Sequence, residues 1–146
     1  MQMWELEARE SVRQTLADYT VATDRFDLGA LAACFGAEGV LEFTGGPEPL
    51  IGPEAIEAGL GAAMGRPRDT GRPLPTLVRH HVASLRFVSV AADLVHASSY
   101  FAVHTDVGLD HWGRYRDELV PVGRRWLFAS RRISVDGFSK DSLMVQ

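Results

Sequence analysis

The sequence predicts an α+β domain with N-terminal helices packed on one face of a mostly antiparallel sheet. Two features of its pattern carry this. Apolar residues recur at helical spacing up to about residue 64, and at a period of two from Val78 onward. The helical and strand-like segments are therefore segregated rather than alternating, which is the signature of α+β and not of a doubly wound parallel sheet. No Gly-rich phosphate loop interrupts either part. A chain of 146 residues fits one domain spanning 1–146 and can bury a sizeable core.

The elements follow in order. Trp4 to about Leu31 reads as one or two helices, with Val12, Leu16, Tyr19, Thr23 and Phe26 on one stripe and a break or tight turn at Gly29. A short helical piece through Leu31–Phe35 follows. Val40–Phe43 is a strand, ended by the turn residues Gly45-Gly46-Pro47. A second helix opens at Pro53 and Glu54, where a fixed φ and a negative charge suit a helix N-terminus, and runs to about Met64. The Pro/Gly/Arg-rich stretch Gly65–Thr76 reads as a mobile loop or lid. Four strands complete the chain: Val78–Val90, Leu94–His104, His111–Val120 and Trp126–Val135. Their short connections at Ala91-Ala92-Asp93 and Pro121-Val122-Gly123 are of hairpin type.

Composition excludes several function classes. The chain is 46% hydrophobic and 23% charged, so it is not a disordered tail. A net charge of −4 argues against nucleic acid and anionic membrane as partners. The acidic start, with Glu5, Glu7 and Glu10, lacks the basic region of a signal peptide, and no apolar run reaches membrane-spanning length. A single cysteine, Cys34, forms no internal disulfide, which fits a cytoplasmic protein. No His-x-His or Cys/His cluster suggests a metal, and no G-x-S-x-G suggests a serine nucleophile.

What remains is a small set of polar residues on apolar faces, where a charge is costly without a partner or a task. Asp24 lies on the flank of an apolar helical arc with Ala17, Thr20, Val21 and Leu28. It is either a helix-end carboxylate paired with Arg25 or a site residue. Arg131 alternates with Leu127, Ala129, Ile133 and Val135 on one face of the last strand, while Trp126, Phe128, Ser130, Arg132 and Ser134 share the other. It is exposed if the sheet is covered on the Trp126 side, and a buried charge otherwise. In Arg79-His80-His81 one imidazole must point inward, and strict alternation selects His81, in phase with Leu85 and Phe87. His96 and His104 fall on the outer parity. A carboxylate and an imidazole facing one cavity would perform general acid–base chemistry without a cofactor or metal.

The chain resembles the SnoaL-like family of the cystatin-like α+β cone superfamily, which also holds scytalone dehydratase, ketosteroid isomerase and lindane dehydrochlorinase. The matching pieces span nearly the whole chain. They are Tyr19 with Asp24 five residues on; Val40-Leu41-Glu42-Phe43, then Gly52-Pro53-Glu54-Ala55-Ile56; Arg79-His80 leading into Ser84-Leu85-Arg86-Phe87; Ser99-Tyr100-Phe101; Gly113-Arg114-Tyr115; and Trp126 through Arg132. The resemblance implies a curved mixed or antiparallel sheet forming a cone around a hydrophobic pocket. It implies an Asp–His dyad at Asp24 and His80, with His81 as the other candidate. A β-bulge at the strand start would reconcile alternation with His80. It also implies a pocket arginine at Arg131 that stabilises developing negative charge, and a pocket tyrosine at Tyr19. Phe43, Ser99, Phe101 and Tyr115 complete the expected substrate-binding lining. Ser99 stands about where scytalone dehydratase has a second catalytic histidine.

The implied activity is a cofactor-independent dehydratase, isomerase or cyclase acting on a small hydrophobic ring compound. The alternative is a non-catalytic binder or accessory subunit of the same fold, since one fold hosts many functions. The outer-parity aromatics Tyr100, Trp112, Trp126 and Phe128 predict a homo-oligomer, dimer or trimer.

Overall fold

The computed structural model describes residues 1–64 and 71–145. Helix α1 (Met3–Asp24) buries Ala8, Val12, Leu16, Tyr19 and Ala22 at spacings of three and four, so one stripe faces the sheet. It ends at Arg25–Asp27, earlier than the expected break at Gly29. Phe26 turns left-handed at φ 55°, and the Asp27 N–H reaches back to the Ala22 carbonyl at 2.9 Å. That turn takes Phe26 off the predicted apolar stripe and leaves it 45% exposed. Asp27 caps the short helix α2 (Leu28–Ala32) by accepting from the Ala30 N–H at 3.0 Å.

Strand β1 (Phe35–Phe43) is longer than expected, and the two-residue strand β2 (Leu50–Ile51) has no counterpart in the sequence reading. Helix α3 (Pro53–Met64) matches its predicted span. Strands β3 (Arg79–Val90), β4 (Val95–Thr105), β5 (Gly108–Val122) and β6 (Arg125–Phe138) form the expected meander. The six strands make one sheet in the order β2-β1-β6-β5-β4-β3, antiparallel except where β1 lies parallel to β6. Helix α1 packs across the inner face and is stitched to the start of β6. Thr15 Oγ1 donates to the Trp126 carbonyl, and Ser11 Oγ accepts from the Trp126 N–H. Among the described residues no helix is long and apolar enough to cross a membrane.

Three bulges set which residues face inward, and two of them overturn expectations drawn from strict alternation. In β3, Ser84 and Leu85 together oppose Ser99, and Ser84 sits at φ 55°. The inner phase is therefore His80 and Val82 before the bulge, and Leu85 and Phe87 after it. His81 faces outward beside the His104 ring, 5.0 Å away, and does not line the interior. In β6, Ala129 is the extra residue between Phe128, opposite Leu119, and Ser130, opposite Glu118. Phe128 and Arg131 therefore both point inward. Phe128 and Trp126 are buried and leave the predicted outer aromatic patch, where Tyr100 and Trp112 remain exposed. In β5, Asp110 is extra between Leu109, opposite His104, and His111, opposite Val103.

Of the expected lid, 65–70 lie outside the described residues. The rest is tied down at both ends. Arg72 donates to the Lys140 and Ser142 carbonyls at 2.7 and 3.0 Å, and Asp106 accepts from the Thr76 and Leu77 N–H groups.

Candidate active site

Directly opposed residues in antiparallel strands share a face. The register therefore lays out the inner wall row by row. His80, Val103 and His111 form one row. Ser99, Tyr115, Ile133 and Phe43 form another, and Ala97, Asp117, Arg131 and Leu41 a third. Phe101 lies between the first two rows and stacks on Tyr115 at 4.6 Å.

Asp24 ends α1, where the negative pole of the helix disfavours a carboxylate. It meets His80 at the start of β3 rather than Arg25. The His80 Nδ1–H donates to Asp24 Oδ1 at 2.6 Å, and the His80 backbone N–H donates to both carboxylate oxygens at 3.0 and 3.2 Å. Both side chains are mostly enclosed, at 8% and 12% exposure. A carboxylate only accepts, so it fixes the imidazole with the proton on Nδ1 and leaves Nε2 as the basic nitrogen.

Arg131 is fully enclosed and forks onto Asp117, with Nε at 2.8 Å and Nη2 at 2.9 Å from the two carboxylate oxygens. Its guanidinium lies 4.3, 3.8 and 4.4 Å from the ring centroids of Tyr19, Tyr115 and Phe128. Burial alone would lower its pKa, but the Asp117 charge and hydrogen bonds more than offset this and raise it. Burial raises the phenols of Tyr19 and Tyr115 against the opposing pull of the Arg131 charge, so both stay protonated donors at neutral pH. Ser99 Oγ and Arg131 Nη1 are buried and have no hydrogen-bond partner among the described residues.

The structure thus brings together Asp24 and His80, and groups Tyr19, Ser99, Phe101, Tyr115 and Arg131 on the inner wall. Phe43 is partly buried and packs against the same core. Two partners escape the sequence reading. Asp117 sits on the inner parity of β5 between Tyr115 and Leu119, and the alternation that marks Arg131 in β6 marks it equally. Asp110 with His111 carries no such signal, because only the bulge puts both inside. Among the described residues no group of three His, Cys, Asp or Glu side chains could hold a metal ion. A concavity of about 560 Å³ lies on the outer face among Ser98, Tyr100, Arg114, Arg116 and Arg132 and includes neither Asp24 nor His80.

Known proteins share this fold to different degrees. No curated protein sequence matches the chain. Among solved structures, Aln2 from a Streptomyces species is 32% identical, with 88% of this chain and 90% of that one covered at a TM-score of 0.72. A protein from Catenulispora acidiphila, solved in complex with S-DNPA, is 27% identical over 88% of this chain and 92% of its own, at a TM-score of 0.72. LinA shares the fold at 21% identity, with 94% and 93% covered and a TM-score of 0.73. The SnoaL-like domain matches residues 4–132, so the chain belongs to the SnoaL-like domain family.

Proposed function

We propose that this chain is a cofactor-independent general acid–base enzyme, a dehydratase, isomerase or cyclase, acting on a small hydrophobic ring compound. One observation carries the reading: Asp24 takes both the Nδ1–H and the backbone N–H of His80, which fixes the ring and its tautomer. In this reading His80 Nε2 removes a proton from a carbon beside a carbonyl, and Asp24 stabilises the imidazolium that forms. Tyr19 and Tyr115 donate to the oxygen that gains charge. Arg131 acts through these two rings as a positioning residue, because its own charge is committed to Asp117. Phe43 and Phe101 supply apolar contact, with Ser99 beside them.

The competing reading, a non-catalytic binder of the same fold, is favoured by the enclosure of the dyad. It leaves unexplained why a carboxylate is held at a helix C-terminus on a histidine 2.6 Å away. The Catenulispora likeness makes S-DNPA a first ligand to titrate. The decisive experiment incubates the protein with bicyclic β-hydroxy ketones in D2O and follows loss of water and C–H exchange. Asp24→Asn and His80→Ala should each lower either rate by about a hundredfold or more while the fold survives. Neither reaction on any of these ketones, or full activity in both variants, overturns the reading.

A further inference from the structure

The outer face of the sheet lines up three arginines in one row. Register places Arg86, Ser98, Arg116, Arg132 and Glu42 side by side across β3, β4, β5, β6 and β1. Arg116 and Arg132 stand directly opposite each other, and like charges so placed destabilise a sheet. Arg132 turns its Nε to Glu42 on its other side, at 3.1 Å. Arg86 and Arg116 have no carboxylate partner among the described residues. In the flanking rows Glu118 lies 3.9 Å from His96, and Asp136 holds Arg114 at 3.1 Å. Neither of these acids pairs with Arg116. The central row thus sets three guanidiniums against one carboxylate, and two negative charges on one small group would balance it.

This row floors the outer-face concavity of about 560 Å³, which includes Ser98, Arg116 and Arg132. Ser98 stands between Arg86 and Arg116 with a hydroxyl that can donate. A guanidinium is a planar fork that matches the oxygens of carboxylates and phosphates, and arginine clusters recognise phosphate groups. A phosphate monoester above neutral pH carries close to two charges, where a carboxylate carries one. The concavity has the volume of a site for a whole small molecule. Tyr100 and Val88, 59% and 56% exposed, line it and offer apolar contact beyond the arginines.

We propose that this face binds a small organic phosphate monoester. The dianion sits between Arg116 and Arg132 with Ser98 donating to it, and the organic part rests against Tyr100 and Val88. The site lies on the opposite face of the sheet from Asp24 and His80 and does not depend on their chemistry. A face that only solvates its arginines would bind no ligand of this kind, and a face built for a second copy of the chain would lose assembly when the row is changed.

The test titrates the full chain with phenyl phosphate at about pH 8 and low salt, where the probe is a dianion and screening is weak. Binding is read from arginine Nε–H NMR signals and from melting temperature, with sedimentation alongside. The proposal expects saturable shifts at Arg116 and Arg132, a Kd below about 1 mM and a rise in melting temperature. Arg116→Gln and Arg132→Gln should each weaken binding by about tenfold or more. Arg116→Gln also removes a like-charge contact, so without the probe it should melt at or above the native temperature. Benzenesulfonate, a similar ring with one charge, should bind about tenfold more weakly. No saturable shift, undiminished binding by Arg116→Gln, or a lower melting temperature of that variant without the probe overturns the proposal. Equal affinity for benzenesulfonate overturns the dianion site, and equal affinity for inorganic phosphate overturns the organic part. An Arg116→Gln chain that sediments as a smaller species, while the native chain ignores the probe, makes the face an interface between copies and overturns the proposal as well.

Discussion

Arg131 and Asp117 form a charge pair at zero exposure, and such a pair is expensive to break. In Arg131→Met the volume is roughly kept, but Asp117 is left in a dry interior with no counter-charge. Removing one partner of a buried pair costs about 3–5 kcal/mol. The three rings that face the guanidinium at 3.8–4.4 Å lose a desolvated cation–π contact, worth about 2 kcal/mol more. Against a total stability of about 5–15 kcal/mol, this brings the protein close to unfolding. A domain of this size melts roughly 10–20 °C lower for such a loss. The double variant Arg131→Met with Asp117→Leu removes both charges and should return to within about 1–2 kcal/mol of native. The assay is a double-mutant cycle by urea unfolding with thermal melts. A coupling below about 1 kcal/mol would show that the pair does not hold the floor of the site. A stable Arg131→Met that loses only turnover would make the arginine a chemical group instead, against its enclosure.

Phe26 holds a left-handed turn beside Asp24 and is 45% exposed, so in Phe26→Gly the relief of the turn should outweigh the packing lost and leave the protein about as stable or up to about 1 kcal/mol more stable in chemical denaturation. A Cβ on Gly113 would lie 2.0 Å from the Ser134 carbonyl and 2.7 Å from the Phe101 ring; Gly113→Ala should therefore cost about 1–3 kcal/mol and displace that ring, visible in Phe101 NMR shifts. Burial pushes the Cys34 thiol up to about 11, so alkylation of the folded protein should stay slow at pH 8, accelerate only as pH approaches 11, and become fast at pH 8 once urea unfolds the chain. Tyr100 is 59% exposed on the outer face beside Trp112; sedimentation should find a dimer or trimer, and Tyr100→Glu should shift it toward monomer.

Most of the architecture is legible because it is written in periodicity. The change from helical spacing to alternation marks the four-strand meander, and Pro53 with Glu54 marks the start of α3. The strand β2 is not legible, since two residues hold no period. Periodicity puts Phe26 on the helical stripe because nothing in a phenylalanine announces a left-handed turn, which usually falls to glycine. The candidate site is legible as residue types: a carboxylate, an imidazole and an arginine out of pattern. Its wiring is not. His80 and His81 differ by one step of alternation, and a one-residue slip exchanges the two faces. The choice between them is made at Ser84, a few residues away, where the ladder absorbs an extra residue.

That bulge is one of three with a common consequence. A strand with perfect alternation could not hold His80 on the same face as Leu85 and Phe87, Phe128 on the same face as Arg131, or Asp110 on the same face as His111. Each bulge permits one such exception. Ser84 turns His80 toward Asp24 while keeping the distal half of β3 against α1. Ala129 lets β6 supply both a ring and the guanidinium that faces it. Asp110 lets one strand provide a histidine and its carboxylate in consecutive positions. Bulges interrupt pairing and are tolerated where the gain exceeds the lost ladder contacts. Here they set the phase on which His80, Arg131, Asp110 and His111 reach the inner wall, whereas Asp117 is delivered by alternation unaided. The register of the sheet, more than the identity of any one residue, therefore decides which groups can meet inside.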